Sequence, residues 1–137
     1  MRPPATPGAF RDYLLAHQPP RGASFFIWIN EADGLAGVVN LSEIVRGAFQ
    51  SAYLGYYAFV PHAGQGLMKR GLSAVITHAF SELALHRLEA NIQPGNTASK
   101  ALVKKLGFRR EGFSPRYLKI NGRWRDHERW AILSEDW

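Results

Sequence analysis

The sequence predicts a mixed α/β domain of three layers, in which helices flank a central sheet. Three observations support this prediction. An early stretch rich in aromatic and β-branched residues leads into a strong hairpin signal, Asp33-Gly34. From Gly66 the apolar residues recur every three or four positions, which is typical of a helix. The chain then closes with two long segments joined by Asn121-Gly122, a pair that favours a type I′ turn.

The first half of the chain predicts one short helix followed by three strands. Residues 3–9 and 18–23 are rich in proline and glycine, which predicts loops. Between and after these loops, the pattern predicts a helix at 10–17 and strands at 24–30, from 35 to between 41 and 44, and at 52–60, with a turn at Arg46-Gly47 and a stop at Pro61.

The second half predicts a helix, a strand, a second helix and a hairpin. The long helix runs from Gly66 to about His86 and buries one apolar face. We expect Asn96 to cap the second helix and Gly107 to follow its end. The predicted strands lie at 87–93, 108–120 and 123–133, with a turn at Pro94-Gly95. Because a long helix joins the strands at 52–60 and 87–93, we expect those two strands to be parallel.

Length and composition indicate one globular domain. The chain has 137 residues, of which 46% are hydrophobic and 20% are charged. It has no cysteine, which excludes disulfides and thiolate chemistry and fits a reducing compartment. No apolar run approaches the roughly 20 residues of a membrane span, and residues 1–5 carry no signal-peptide core. We therefore expect a cytoplasmic protein, and the spacing of its five histidines predicts no metal site.

The net charge is +6, and its excess is concentrated late in the chain. Such a face attracts phosphates, acidic proteins or RNA, although a solvated basic surface is the ordinary alternative. No RNA-reading motif accompanies it. The basic residues are Lys100, Lys104, Lys105, Arg109, Arg110, Arg116, Lys119, Arg123, Arg125 and Arg129.

Two helix starts, about thirty residues apart, are the candidate binding elements. Gly64-Gln65-Gly66 precedes the long helix, where free backbone N–H groups and the helix dipole would attract an anion. Asn96 and Ser99 open the second helix, where an amide and a hydroxyl would face a shared cleft. Each has a purely structural alternative, an ordinary glycine turn and an ordinary capped helix. Together they indicate a site for a long phosphorylated cofactor.

These features resemble the GNAT superfamily of acetyl-CoA-dependent N-acetyltransferases. The resemblance rests on the glycine turn, the Asn96-to-Ser99 helix start and Leu106-Gly107-Phe108. Across residues 24–137 it narrows to the RimJ/RimL-type ribosomal-protein alanine N-acetyltransferases. The further segments that carry it are Val45-Arg46-Gly47-x-Phe49, Tyr53-Leu54-Gly55-Tyr56, Gly66-Leu67-Met68, His86-Arg87, Gly107-Phe108-x-x-Glu111-Gly112, Tyr117-Leu118, Gly122-x-Trp124-Arg125-Asp126-His127 and Asp136-Trp137.

The resemblance implies a mostly antiparallel sheet with a parallel pair that splays apart, and acetyl-CoA in the wedge between those strands. Backbone amides of the glycine turn would hold the pyrophosphate, and the backbone of Phe59 and Val60 would pair with the pantetheine. Asn96 would fix the pantetheine, and Lys104 would reach a nucleotide phosphate. The acceptor would be a primary amine, preferably the N-terminal α-amine of a ribosomal protein. The glycine-turn residues are Gly64, Gln65, Gly66, Leu67 and Met68.

Two positions depart from the family pattern. Many superfamily members have a tyrosine seven residues after the asparagine, where it protonates the leaving thiolate, but this chain has Val103. Ser99 lies four residues earlier on the same helical face and is the candidate acid, as well as a cofactor contact. Pro61 replaces the usual Gln or Arg at the start of the glycine motif, with a modest effect expected because that motif binds through its backbone.

No general base stands out. Some relatives carry a glutamate where this chain has Tyr53, and Glu43, Glu111 and Asp126 remain open. A protein α-amine has a pKa of about 7.7–8.0, whereas lysine is near 10.4, so an α-amine acceptor needs less help from a base. Two alternatives also remain open: a small-amine acetyltransferase, and a non-catalytic relative that binds CoA, RNA or the ribosome.

The relatives have a strand and a helix before the segment that begins here near Phe10. About forty residues of that region are expected to be absent, judged against usual domain lengths. We therefore interpret residues 1–137 as a single acetyltransferase domain, with residues 1–23 as a loop-and-helix remnant. A missing strand would expose a sheet edge near residues 25–28 and favour a dimer.

Overall fold

A computed structural model describes residues 22–30, 34–59 and 66–137. The predicted helix at 10–17 lies outside these residues. Within them, no helix has the length and apolar character needed to cross a membrane. The elements, in chain order, are β1 (Ala23–Asn30), β2 (Gly34–Val45), β3 (Ser51–Ala58), α1 (Leu67–Ser81), β4 (Arg87–Ile92), α2 (Thr97–Lys105), β5 (Arg109–Ile120), β6 (Arg123–Leu133) and a 3₁₀ turn (Ser134–Asp136).

The described strands form one sheet in the order β1-β2-β3-β4-β6-β5. All neighbours are antiparallel except β3 and β4, which are parallel and are joined in sequence through α1. This confirms the predicted mixed fold, with a mostly antiparallel sheet, one parallel pair and flanking helices. The strand limits agree with the sequence prediction to within one or two residues, apart from the uncertain end of β2.

The core lies between the helices and one face of the sheet. Burial along β4 alternates strictly, so that Leu88, Ala90 and Ile92 are buried while Arg87, Glu89 and Asn91 belong to the opposite, polar face. The apolar stripe of α1 completes the core, as its period of three and four predicts. Its buried residues are Met68, Leu72, Val75, Ile76 and Ala79.

The helix α1 ends at Ser81 rather than near His86, so the predicted end was wrong. The amides of Glu82 and Leu83 both bond the carbonyl of His78, and Ala84 adopts a left-handed φ of 55°. This reversal buries Leu85, which is 2% exposed, and lets the chain enter β4 beside β3. The apolar pattern continues past the last turn because Leu85 is buried by the reversal instead of by the helix.

The hairpin of β5 and β6 has the predicted turn. Asn121 and Gly122 have φ values of 52° and 80°, and the flanking Ile120 and Arg123 are paired. Both central residues are therefore left-handed, as a type I′ turn requires. The hairpin brings Tyr117 and His127 beside the parallel strands, where the candidate site lies.

Candidate active site between the parallel strands

The strands β3 and β4 diverge after a short ladder. Only three register pairs join them, the last being Tyr53 with Glu89. Beyond that point, the described residues of β3 pair with β2 and those of β4 pair with β6. The divergence opens a cavity of about 760 Å³ that is lined by β3, β4, the start of α2 and the β5–β6 hairpin. The wedge expected from the family resemblance is therefore present.

Gly66 shapes the start of α1. It is the N-cap, its φ is 75°, and no side chain of the described residues caps the helix. A Cβ added at Gly66 would meet no atom of the described residues within 4 Å, so they leave the space beside this turn open. The first-turn amides lack intrahelical partners, and the adjacent Lys69 and Arg70 are exposed. These features suit an anion, although Val60, Gly64 and Gln65 lie outside the described residues.

Asn96 caps α2 as predicted. Its Oδ1 accepts a hydrogen bond of 3.1 Å from the backbone N–H of Ser99, which fixes the orientation of the side-chain amide. In the described part of the chain, the NH₂ group of Asn96 has no hydrogen-bond partner. Asn96 lines the cavity, so this amide can offer a donor to a bound carbonyl.

Ser99 and Tyr56 are joined by two hydrogen bonds inside the cavity. The Ser99 hydroxyl donates to the Tyr56 hydroxyl over 2.7 Å, and Tyr56 donates to the Ser99 carbonyl over 3.1 Å. Burial raises the pKa of Tyr56, although the bond from Ser99 acts to lower it, so the phenol stays protonated at neutral pH. The sequence analysis singled out Ser99 but not Tyr56. The sequence did contain a signal for Tyr56. Side chains alternate between the two faces of β3, which puts Tyr56 on the buried face, where its hydroxyl needs a hydrogen-bond partner.

Val103, at the position of the usual family tyrosine, is fully buried and belongs to the hydrophobic core. It lies one helical turn after Ser99. Val103 has no proton to donate, whereas Ser99 of α2 and Tyr56 of β3 bring two hydroxyl groups to this part of the cavity. Lys104, the next residue of α2, is exposed.

The carboxylates considered as bases are engaged elsewhere or exposed. Two hydrogen bonds of 2.6 and 2.9 Å join Glu111 to Arg87, whose guanidinium holds the pKa of Glu111 below its usual value. Asp126 accepts a 2.8 Å hydrogen bond from the backbone N–H of Arg116, and Glu43 is exposed in β2. Among the described residues, no carboxylate lines the cavity of about 760 Å³.

Tyr53 also lacks the properties of a base. The hydrogen bond with Tyr117, together with burial and nearby negative charge, raises the pKa of Tyr53 to about 12. At neutral pH its hydroxyl is protonated, so it acts as a wall of the cavity and as a hydrogen-bonding group.

Glu128 anchors α2 to the hairpin strands. Its carboxylate accepts bonds of 3.2 Å from Lys100 of α2 and from Arg110 of β5, and one of 3.3 Å from Trp130 of β6. Burial alone would raise the pKa of Glu128, but these three groups outweigh it and hold the pKa below the usual carboxyl value. The anchor fixes the helix that carries Asn96 and Ser99.

We expect Glu128→Gln to lower the free energy of unfolding at pH 7 by about 1–3 kcal/mol, because it weakens a buried charge-assisted network. The folded pKa lies below the unfolded value of about 4.3, so the contribution is complete above that pH. It is lost as the pH falls through the folded pKa. Urea unfolding of both proteins at pH 7 and pH 3 checks this, and an equal difference at both pH values would contradict it.

A sequence profile described as "Acetyltransferase (GNAT) domain" matches residues 1–109 of the chain. The chain belongs to the GNAT family. GNAT acetyltransferases use acetyl-CoA as co-substrate, which agrees with the cofactor expected from the sequence.

Several N-acetyltransferases are similar to this chain in sequence or structure. The chain is 43% identical to the "Probable N-acetyltransferase YjcK" of Bacillus subtilis (strain 168), covering 82% of this chain and 62% of that protein. It is 39% identical to the "[Ribosomal protein uS5]-alanine N-acetyltransferase" of Escherichia coli (strain K12), covering 85% and 61%. The structure of Mycobacterium smegmatis RimJ in complex with CoA-disulfide has 35% identity and a TM-score of 0.82, covering 93% and 61%. The chain spans about three-fifths of the length of these relatives.

Proposed function

We propose that this GNAT domain transfers the acetyl group of acetyl-CoA to the N-terminal α-amine of a protein, with a ribosomal protein as the acceptor. The main observation is the wedge, in which β3 loses its β4 partner directly beside the Ser99–Tyr56 hydroxyl pair. Transfer forms a bond between the acceptor nitrogen and the acetyl carbon, breaks the carbon–sulfur bond, and moves one proton from nitrogen to sulfur. The 39% identical ribosomal-protein-alanine acetyltransferase supports the choice of acceptor.

The residues of the wedge fit acetyl-CoA. The edge of β3 beyond Tyr53 has no strand partner on its β4 side among the described residues, so an extended chain of amides can pair there. Asn96 offers an NH₂ donor beside that edge, and the uncapped amides after Gly66 suit a pyrophosphate. Lys104 would add a cation for a nucleotide phosphate. When bound, acetyl-CoA supplies an acetyl group on a thioester.

Ser99 would serve as the acid that protonates the leaving sulfur. Its hydroxyl lies in the cavity, and Tyr56 keeps it oriented through a 2.7 Å hydrogen bond. A hydrogen bond between two hydroxyls can reverse direction, because each oxygen both donates and accepts. Tyr56 can therefore supply the proton that Ser99 gives up, which avoids leaving a serine alkoxide.

The cavity favours an α-amine over a polycationic acceptor. Within the described lining there is no carboxylate to bind an ammonium group, and the charged side chain of Lys119 would repel one. An α-amine is partly neutral at pH 7, whereas lysine and polyamine nitrogens are almost fully protonated. Small-amine acetylation is therefore the weaker alternative.

RNA binding by the basic β5–β6 hairpin is a second candidate function. It would help the domain to engage a ribosomal protein that is already bound to RNA. It is supported by exposed cations with few acidic neighbours on β5 and β6, near the exposed Trp124. We also propose that the protein acts in the cytoplasm and that it can self-associate through the edge strand β1. The exposed hairpin cations are Arg109, Arg110, Arg116, Lys119, Arg123 and Arg125.

Calorimetric titration with acetyl-CoA, with CoA as reference, tests the proposal first. We expect affinity in the micromolar range or tighter. Mass spectrometry should then detect acetylation of peptides that begin with Ala or Ser, and much slower acetylation of spermidine or of an N-terminally blocked lysine peptide. Absence of CoA binding would contradict the proposal. Salt-dependent RNA binding without CoA binding would support the non-catalytic alternative instead.

A further inference from the structure

We propose that His127 is the general base that takes the proton from the acceptor amine. This inference rests on the proposed acetyl transfer, which requires a proton to leave the acceptor nitrogen. The residues considered from the sequence do not meet this need: Glu111 and Asp126 are hydrogen-bonded elsewhere, the exposed Glu43 does not line the cavity, and Tyr53 is protonated at neutral pH. His127 lines the same cavity and was not among those candidates.

The geometry fixes the tautomer of His127. Its Nδ1 lies 2.9 Å from the backbone oxygen of Arg125, and since a carbonyl can only accept, Nδ1 carries the hydrogen. The lone pair of the neutral ring is therefore on Nε2. No residue of the described part of the chain bonds Nε2. The nitrogen is thus oriented and free to accept a proton.

The surroundings hold the ring of His127 in place. His127 is 3% exposed, and the ring of Tyr117 packs against it edge-on at 6.2 Å between centroids. Asn91 of β4 lines the same cavity, and its buried Oδ1 has no hydrogen-bond partner among the described residues.

The charged and titratable groups near His127 are few. The cavity lining contributes Tyr53, Tyr56 and Tyr57 from β3 and Tyr117 and Lys119 from β5, while its residues from β4 and α2 are neutral. On β6 itself, Asp126 is bonded to the Arg116 backbone, and Glu128 is bonded to Lys100 and Arg110. Glu89 of β4 and Arg129 of β6 lie on the same sheet face as His127, but Glu89 is bonded to Arg87 and Asn91, and Arg129 to Ser114. Neither lines the cavity, so among the described lining residues the imidazole of His127 is the group suited to accept a proton at neutral pH.

Acid and base would lie in one cavity but on different faces of the sheet. Ser99 comes from α2 and meets Tyr56 on the helix-covered face of β3, whereas His127 shares a face of β6 with Ala131, the register partner of Glu89. The acceptor nitrogen loses its proton to Nε2 as its bond to the acetyl carbon forms. The sulfur receives a different proton from Ser99. The imidazolium then returns its proton to solvent, and the Ser99–Tyr56 pair takes one proton back from solvent.

The test combines kinetics with a readout that does not depend on turnover. We expect His127→Gln to lower kcat for an Ala-peptide about ten- to a hundred-fold, with CoA affinity within about twofold. The loss is limited because an α-amine is already partly neutral at pH 7. The acidic limb of the kcat/KM pH profile should flatten. Histidine ¹⁵N NMR of the unaltered chain should show an unprotonated Nε2 that shifts when the Ala-peptide is added with CoA.

His86→Gln is the matched control, because His86 bonds Glu135 outside the cavity and should leave kcat unchanged. If kcat and the pH profile of His127→Gln are unaltered, or if the Nε2 signal does not shift when the peptide is added, His127 is not the base. The proposed acetyl transfer would not be affected by that result. A parent chain that binds neither CoA nor peptide would overturn the proposed function and this assignment together. Calorimetry distinguishes the two failures.

Discussion

Gly66→Val should lower the affinity for acetyl-CoA by on the order of a thousand-fold, because two or three charge-assisted bonds to phosphate would be lost. The Cβ of any residue at this position would project into the open space beside the turn, where we expect the pyrophosphate. A φ of 75° also makes a branched side chain strained, at about 1–2 kcal/mol of stability. Calorimetric titration with acetyl-CoA measures the loss directly.

Gly47→Val is a closely matched control for that experiment. Gly47 also has a positive φ, of 70°, and a Cβ there would likewise meet nothing within 4 Å. It lies in the turn between β2 and β3, away from the start of α1, so the two variants share the backbone strain but not the site. We expect similar thermal unfolding and full CoA affinity for Gly47→Val. Equal affinities of the two variants would mean that the glycine turn does not hold the cofactor.

The parts of the site that depend on local sequence could be predicted. A glycine before an apolar helical period, and Asn96 three residues before Ser99, specify helix starts through backbone geometry and capping alone. The type I′ turn at Asn121-Gly122 is equally local. The parallel pair followed from one rule of connection, because a strand, a long helix and a strand normally form such a unit.

The parts that depend on tertiary contacts could not be predicted. Tyr56 gains its role from α2, which lies 43 positions along the chain at Ser99, and no local pattern encodes that meeting. His127 depends on the Arg125 carbonyl and on Tyr117 across the hairpin. The end of α1 was missed for a related reason, because the burial of Leu85 and the pairing of β4 override an apolar helical pattern.

Substitutions in the Ser99–Tyr56 pair should affect the rate of acetyl transfer and not the affinity for acetyl-CoA. A serine hydroxyl is a much weaker acid than a thiol, so by itself it gains little from protonating a thiolate. A phenol, with an ordinary pKa near 10, is far closer to a thiol near 8.5. Because burial keeps Tyr56 protonated and its oxygen is 2.7 Å from Ser99 Oγ, the pair can deliver a phenolic proton through the serine.

Ser99→Ala should therefore lower kcat by about a hundred- to a thousand-fold, and Tyr56→Phe by about ten- to a hundred-fold, with acetyl-CoA affinity nearly unchanged. The double variant should be no slower than Ser99→Ala, because both residues serve one proton transfer. Ser73→Ala is the control, since the one hydrogen bond that the Ser73 hydroxyl makes to a described residue is to the Lys69 carbonyl of its own helix. Steady-state kinetics with an Ala-peptide decide the matter. Losses that multiply in the double variant would make Tyr56 and Ser99 independent, and an unchanged kcat in Ser99→Ala would remove serine from the reaction.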